Sequence, residues 1–429
     1  MSRVSFLPLS ALALVCALSS SGAYSGAMLG AYVDYDGWNT TTIDQFNSAA
    51  VKPMAVINVF SGFSQDWTSL TTQATNIVSR NAAPMITWMP SVSDRPDANL
   101  FAEITAGQWN TYLDNWIKGL KAWQATYPST SKPTILLRFA HEFNGNWYPW
   151  GNDPDGLKAA WRYIYSRFKT AGVTNVEWVW CANNSSVDSY NDITRYYPGD
   201  DVVNWTALDG YNWGSNYSFS QWKSFAETFS APYTKLITNY PTKPVLLAEV
   251  ASVEPSDVPN PTYGQDGNDN DAGQSKEVWV QDMYTRIMSE YPAIRAIAWF
   301  NTNKEFNWAL TGAGNTGLNA YNATVINSYY SGSFTPLMAT TTTTKTTRKK
   351  TTASTSTIIT TASTLDASTS AADSSTTVEN LNEGLQRALA LSYMPTVVGE
   401  NLLAREAQGF RSLAPDALKT LRTMHVEGQ

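Results

Sequence analysis

Eight short apolar runs, each followed by a stretch with helical periodicity, recur along the first three quarters of this chain and limit what it can fold into. The runs are Met28–Val33, Pro53–Phe60, Pro84–Met89, Thr134–Phe139, Val176–Trp180, Ala207–Tyr211, Val245–Val250 and Ile294–Phe300. Between them lie amphipathic stretches such as Trp109–Trp123, Leu157–Thr170, Gln221–Phe229 and Glu277–Tyr291. That alternation is the pattern of βα units around a parallel sheet. Eight units over roughly 300 residues predict an α/β fold of the (β/α)8 TIM-barrel type, whose usual size is about 250. An open doubly wound sheet is the competing reading, but it calls for a Gly-rich phosphate loop after an early strand, and the sequence has none.

The flanks have a different character. Residues 1–23 have the form of a secretory signal, with Arg3, an apolar stretch from Ala11 to Leu18, and Ser21-Gly22-Ala23 as a small-residue cleavage site. The mature chain is therefore expected to be secreted and extracellular. That stretch is too short to span a bilayer and no later segment approaches 18 consecutive apolar residues, so no membrane anchor is expected. Cys16 would leave with the signal; Cys181 alone cannot form an internal disulfide. The barrel is assigned to residues 24–335. Residues 336–377 are dominated by Thr, Ser and Ala around a basic cluster at Lys345, Arg348, Lys349 and Lys350. They bury too little apolar surface to offset chain entropy and are expected to be a disordered linker. Residues 378–429 form a short tail with leucines at rough helical spacing, broken by Pro395 and Pro415, and offer no chemical site. Sequons at Asn39, Asn183, Asn184, Asn204, Asn216 and Asn322 would admit N-glycans.

Net charge −7 argues against a nucleic-acid partner, which would demand clustered Lys and Arg that the barrel region lacks. Aromatics make up 13% of the chain, including 17 Trp and 22 Tyr, and such rings offer flat faces on which pyranose rings stack. Core packing uses the same rings, so Trp88, Trp178 and Trp180, in or beside strands, are left out of the site.

In a TIM barrel the reacting groups lie at the C-terminal ends of strands. Two carboxylates stand there: Glu142, after the fourth run, and Glu249, closing Val245-Leu246-Leu247-Ala248 in the seventh. Taken singly, a Glu at a strand end is ordinarily solvated or paired with Arg. Taken together they suit hydrolysis of a glycosidic bond, where one carboxylic acid protonates the leaving oxygen and a carboxylate about 5–5.5 Å away attacks as nucleophile. His141 and His425 are the two histidines, so a multi-histidine metal site in the barrel is excluded and no metal is predicted. The loop from Asp266 to Glu277 partly matches a calcium loop, but its sixth position holds Asp271 where the turn requires Gly, and it is read as solvated.

The run Arg138-Phe139-Ala140-His141-Glu142-Phe143-Asn144-Gly145-Asn146-Trp147 resembles the signature of glycoside hydrolase family 26, with Phe143 where that motif usually has Met. Leu208-Asp209-Gly210-Tyr211-Asn212-Trp213-Gly214, Leu247-Ala248-Glu249-Val250 and Ala298-Trp299-Phe300-Asn301 follow in matching order, and the resemblance covers Ala27 to Tyr330. It implies that Glu142 is the general acid/base and Glu249 the nucleophile of a retaining mechanism. Glu142 must then start protonated, through apolar surroundings or the nearby charge of Glu249. It further implies that Arg138 holds a carboxylate, that His141 bonds within the reacting subsite, that Tyr211 orients the nucleophile, that Trp147 and Trp299 form a stacking floor, and that Asn144 binds substrate. The expected partner is a polysaccharide, with no cofactor, acted on by a monomer. Endo-β-1,4-mannanase is the leading expectation. The alternatives are endo-β-1,3-1,4-glucanase on the same scaffold, which Trp299-Phe300-Asn301-Thr302-Asn303-Lys304-Glu305 resembles, and a non-catalytic glycan-binding protein.

Overall fold

The computed structural model describes residues 26–337 other than 216, 218, 219, 256–270, 272 and 313. The leader, the tail, nearly all of the linker, Asn216 and Asp266–Asn270 lie outside the described residues.

Eight parallel strands form the barrel: β1 (Ala27–Val33), β2 (Val56–Gly62), β3 (Ala83–Met89), β4 (Ile135–Phe139), β5 (Val176–Asn183), β6 (Trp205–Asn212), β7 (Val245–Ser252) and β8 (Ile294–Asn301). Each pairs with the next, and β1 pairs with both β8 and β2, so the eight close on themselves. A two-residue β9 (Tyr330–Ser331) adds to the start of β1. The outer helices are α1 (Thr40–Ala49), α2 (Trp67–Val78), α3 (Phe101–Thr105), α4 (Asn110–Gln124), α5 (Pro154–Thr170), α6 (Phe225–Asn239), α7 (Lys276–Glu290) and α8 (Leu318–Val325). This is the expected (β/α)8 barrel. Among the described residues no helix is long and apolar enough to cross a membrane.

Helix starts follow local chemistry. Asn39, Asp66, Asp153, Ser224 and Ser275 each accept an N–H of the first turn of α1, α2, α5, α6 and α7. Ser224 and Glu227 complete a capping box, which places the start of α6 at Phe225 rather than at Gln221. This helix also runs past Phe229 to Asn239, across Pro232. A proline there cannot donate to the Thr228 carbonyl. Asn184 Nδ2 donates to that oxygen instead, at 3.1 Å.

Period-two alternation divides the strand residues between two cores. Leu29, Ile86, Leu137, Trp178 and Ile297 join the layer under the helices, together with Trp88 and Trp180. Met28, Met85, Leu136, Trp205 and Leu246 fill the barrel interior. One step above them toward the strand ends, the interior turns polar yet stays buried, at Asn58, Thr87, Arg138, Cys181 and Asp209. One step further lie Tyr32, Phe60, Asn183, Tyr211 and Phe300, the rim of the mouth. The opposite end is closed by residues after β9: Phe334 packs on the interior cluster, and Leu337 N–H donates at 2.6 Å to Glu177, which also accepts from Trp205 Nε1 at 2.7 Å.

Candidate active site

Strict alternation would turn Glu249 toward the helices with Leu247. A bulge reverses this. Leu208 lies opposite Leu247 and Asp209 opposite Glu249, so the β6–β7 register skips Ala248, and the β7–β8 register is irregular over the same residues. Ala248 packs in the interior cluster, and the extra residue lets Glu249 face inward as well. Its carboxylate accepts one bond from Arg138 Nη2 and another from Tyr211 Oη at 2.5 Å.

Arg138, fully buried on β4, ties the polar layer together. Nη1 donates to Asp209 Oδ2 at 2.6 Å, Nε donates to Thr87 Oγ1 at 2.8 Å, and Thr87 passes its hydroxyl to Asn58 Oδ1 at 2.6 Å. Burial alone would make the guanidinium easier to deprotonate, but the Asp209 and Glu249 charges push its pKa well up. One buried cation thus faces two buried carboxylates. Burial pushes the Asp209 carboxyl well above the usual range despite Arg138, and the Cys181 thiol donates to it at 3.2 Å. Removing either side of such a group strands an uncompensated charge, at a cost of about 3–5 kcal/mol.

Glu142 reaches the mouth by a different device. Ala140 (φ 48°) and Glu142 (φ 52°) both occupy the left-handed region, costing about 1–3 kcal/mol each. Chain contacts hold them there: Ala140 N–H donates to the Trp88 carbonyl at 3.0 Å and Glu142 N–H to that of Cys181 at 2.9 Å. The side chain then accepts from Asn183 Nδ2 at 2.8 Å and from Trp147 Nε1 at 2.6 Å. Glu142 and Glu249 are 8% and 7% exposed, so each keeps a sliver open to the mouth. Both charges act on the same hydroxyls. Burial first, then the charges of Glu142 and Glu249, push Tyr148 well up; burial, then Glu249 and more weakly Glu142, do the same to Tyr211.

His141 is buried, with Nε2 against Tyr148 Oη at 3.1 Å and Nδ1 without a partner among the described residues. Burial, and then the Arg138 charge, holds the imidazole well below its usual range, so it is neutral. His141, Asp209 and Glu249 bring donor atoms within 4.8 Å of one another. Arg138 already bonds both carboxylates of that group.

Residues 59–240 match the family model described as glycosyl hydrolase family 26. The chain is 31% identical over 316 residues to Endoglucanase H of Acetivibrio thermocellus, an alignment covering 72% of this chain and 31% of that protein. This barrel belongs to glycosyl hydrolase family 26. Mannan endo-1,4-beta-mannosidase A and B of Caldalkalibacillus mannanilyticus is 35% identical over 116 residues, 24% of this chain and 21% of that protein. The catalytic domain of the GH26 endo-beta-1,4-mannanase of Bacillus sp. JAMB-750 shares the fold with a TM-score of 0.52 at 16% identity, over 71% of this chain and 87% of that one. The chain spans less than half the length of the curated relatives it matches.

The family 26 barrel gathers Arg138, His141, Glu142, Trp147, Tyr211 and Glu249 at one mouth. It corrects two expectations. Trp299 is fully buried on the helix side of β8, where its ring centroid lies 6.2 Å from that of Trp279 and its Nε1 donates to the Trp308 carbonyl at 2.9 Å; it forms no floor for a sugar. Phe300 takes the inward position, stacked 4.9 Å from Tyr32. Asn144 does not face the mouth either. Its carboxamide is buried and spent on the chain: Oδ1 accepts from Asn183 N–H at 2.8 Å, and Nδ2 donates to the carbonyls of Asn183 (3.0 Å) and Ser185 (3.2 Å). Phe143, the departure from the motif, packs between Trp180 and Tyr196, where an apolar side chain suffices. Asn183 and Asp209 were missed as site residues, although each is a polar residue ending or interrupting an apolar run. Among the sequons, Nδ2 of Asn183, Asn184 and Asn322 each donates within the fold. In the calcium-like loop, Asp271 accepts from Ser215 N–H and Oγ at 2.8 and 2.6 Å.

Proposed function

We propose that this barrel is a retaining endo-β-glycan hydrolase acting on β-glucan, with Glu249 as nucleophile and Glu142 as general acid/base. The observation that carries the reading is that two carboxylates share one mouth but are held in different ways. Glu249 accepts from a buried guanidinium and a phenol, a charge-assisted set that fixes its oxygens at the mouth. Glu142 is held by two neutral N–H donors on the rim, a setting in which it can gain or lose a proton. In the first step Glu249 attacks the anomeric carbon while Glu142 gives its proton to the departing glycosidic oxygen, so that an ester forms as the C–O bond breaks. In the second, Glu142 takes a proton from water, the water oxygen bonds to the anomeric carbon, and Glu249 leaves as carboxylate.

Support for glucan over the mannan expected from the motif comes from extent of likeness: the relative named an endoglucanase aligns with 72% of the chain, the mannosidase of Caldalkalibacillus with 24%. Secretion belongs to the same proposal, resting on the leader-like residues 1–23. Barley β-glucan, galactomannan, β-1,4-xylan and β-1,3-xylan assayed side by side for reducing-end release test the substrate, and mannan as the preferred one would overturn the choice. Glu249→Ala with undiminished turnover would remove the nucleophile. Inverted anomeric configuration in the first product would remove the covalent step.

A further inference from the structure

Asn183, the last residue of β5, is 4% exposed and is fixed on every side. Its Oδ1 accepts from Ser185 N–H at 3.1 Å and from Ser185 Oγ at 3.4 Å, so the amide is oriented with Nδ2 toward Glu142 Oε1. A flip would set two N–H groups against each other. Its backbone N–H and C=O are both taken by the carboxamide of Asn144, two residues beyond Glu142, which in effect extends β5 pairing into the loop after β4. The next residue, Asn184, is pinned to α6 through the Thr228 carbonyl that Pro232 leaves undonated. The strand end that carries Asn183 is therefore anchored both to the Glu142 loop and to the helix behind it.

We infer that Asn183 is a positioning residue for Glu142, and that Asn144 acts on the same carboxylate through it: the pair aims Oε1 and steadies the ionised form that must accept a proton from water. This deepens the reading of Glu142 as acid/base and rests on it. A single N–H donor in a buried setting favours the charged carboxylate, so losing it raises the pH at which Glu142 gives up its proton. The other ionisable groups at this mouth are Glu249 on β7, Asp209 and Tyr211 on β6, Cys181 on β5, Arg138 on β4, Tyr32 on β1, and His141 and Tyr148 on the loop that also carries Glu142. None of them bonds the Asn183 side chain, so removing its amide leaves their contacts in place.

The test is the pH profile of kcat/KM on the polysaccharide for Asn183→Ala, with Asn183→Leu as a variant of similar size that loses the donor without adding a titratable group. Both should move the alkaline limb up by about one pH unit, the worth of one hydrogen bond to a charged group. KM should hold near the parent value while kcat falls about tenfold at neutral pH. Asn144→Ala should shift the limb in the same direction by a smaller amount. Lower kcat with an unmoved limb in both Asn183 variants would make the residue merely structural and overturn the inference. Glu142→Ala, run alongside, separates the two failures: full activity in that variant removes the acid/base reading, whereas an inactive Glu142→Ala beside an unshifted Asn183 pair removes only the positioning role.

Discussion

Replacing Gly145 by alanine should reach the chemistry through Trp147 without touching either carboxylate. An ideal Cβ at this position would stand 2.4 Å from Cζ2 of Trp147 and 2.5 Å from Cε2 and Cη2. Carbon atoms rest about 3.5–4.0 Å apart, so the ring must retreat by about 1 Å. Gly145 is not among the glycines with positive φ, so space alone selects glycine here. Trp147 is half-buried and moves more cheaply than the backbone of the loop. Its N–H moves with it, and a 1 Å retreat stretches the 2.6 Å bond to Glu142 Oε2 beyond hydrogen-bond range. A hydrogen bond to a charged group contributes about 1.5–3 kcal/mol, which corresponds to about ten- to hundredfold in rate where the bond persists in the transition state. At rest Glu142 is protonated in this mechanism, and a bond between neutral groups contributes about 0.5–1.5 kcal/mol, so stability should fall by about 1 kcal/mol and Tm by no more than about 4 °C. Steady-state kinetics on β-glucan and calorimetry measure both, with Trp147→Phe as the reference that removes the N–H and keeps most of the ring. Parent-like kcat in Gly145→Ala would refute the reasoning. So would a large drop in Tm, since the backbone would then have yielded instead of the ring.

Two further predictions address other parts of the polar layer. Tyr211→Phe removes one of the two bonds that Glu249 accepts and should lower kcat about ten- to hundredfold with little change in KM, which burst kinetics on an activated aryl glycoside would resolve; an equal loss in KM alone would assign Tyr211 to substrate binding. Asp36, after β1, is pushed from its ordinary 3.8 up to about 8, chiefly by burial, so its contribution to stability is full below about pH 4 and declines as pH rises toward about 8. Asp36→Asn keeps the acceptor for Phe60 N–H and should raise Tm at about pH 7.5 while matching the parent near pH 4; equal melting temperatures at both would refute the assignment.

What could be read from residue order, and what could not, divides along the phase of the strands. The barrel was legible because each strand is buried on both faces and reads as an unbroken apolar run. Its mouth was harder. β5, β6, β7 and β8 each continue to a polar residue, Asn183, Asn212, Ser252 and Asn301, past the point where apolar character stops. Trp299 was misplaced although the signal was present: with Ala296 and Ala298 inside, alternation alone sends Trp299 to the helices and Phe300 to the mouth. The two acids are different in kind, because neither sits where alternation would put it. Glu249 turns inward through an added residue in β7, and Glu142 comes over the rim through left-handed residues on either side of His141. Both departures cost free energy and neither improves the packing of the sheet, so the surrounding bonds must impose them: Arg138 and Tyr211 on one acid, Asn183 and Trp147 on the other. A chain selected for stability alone would have no reason to keep two such irregularities opposite each other at one end of a barrel. That pairing of strain with converging donors is what separates this mouth from the apolar plug at the other end.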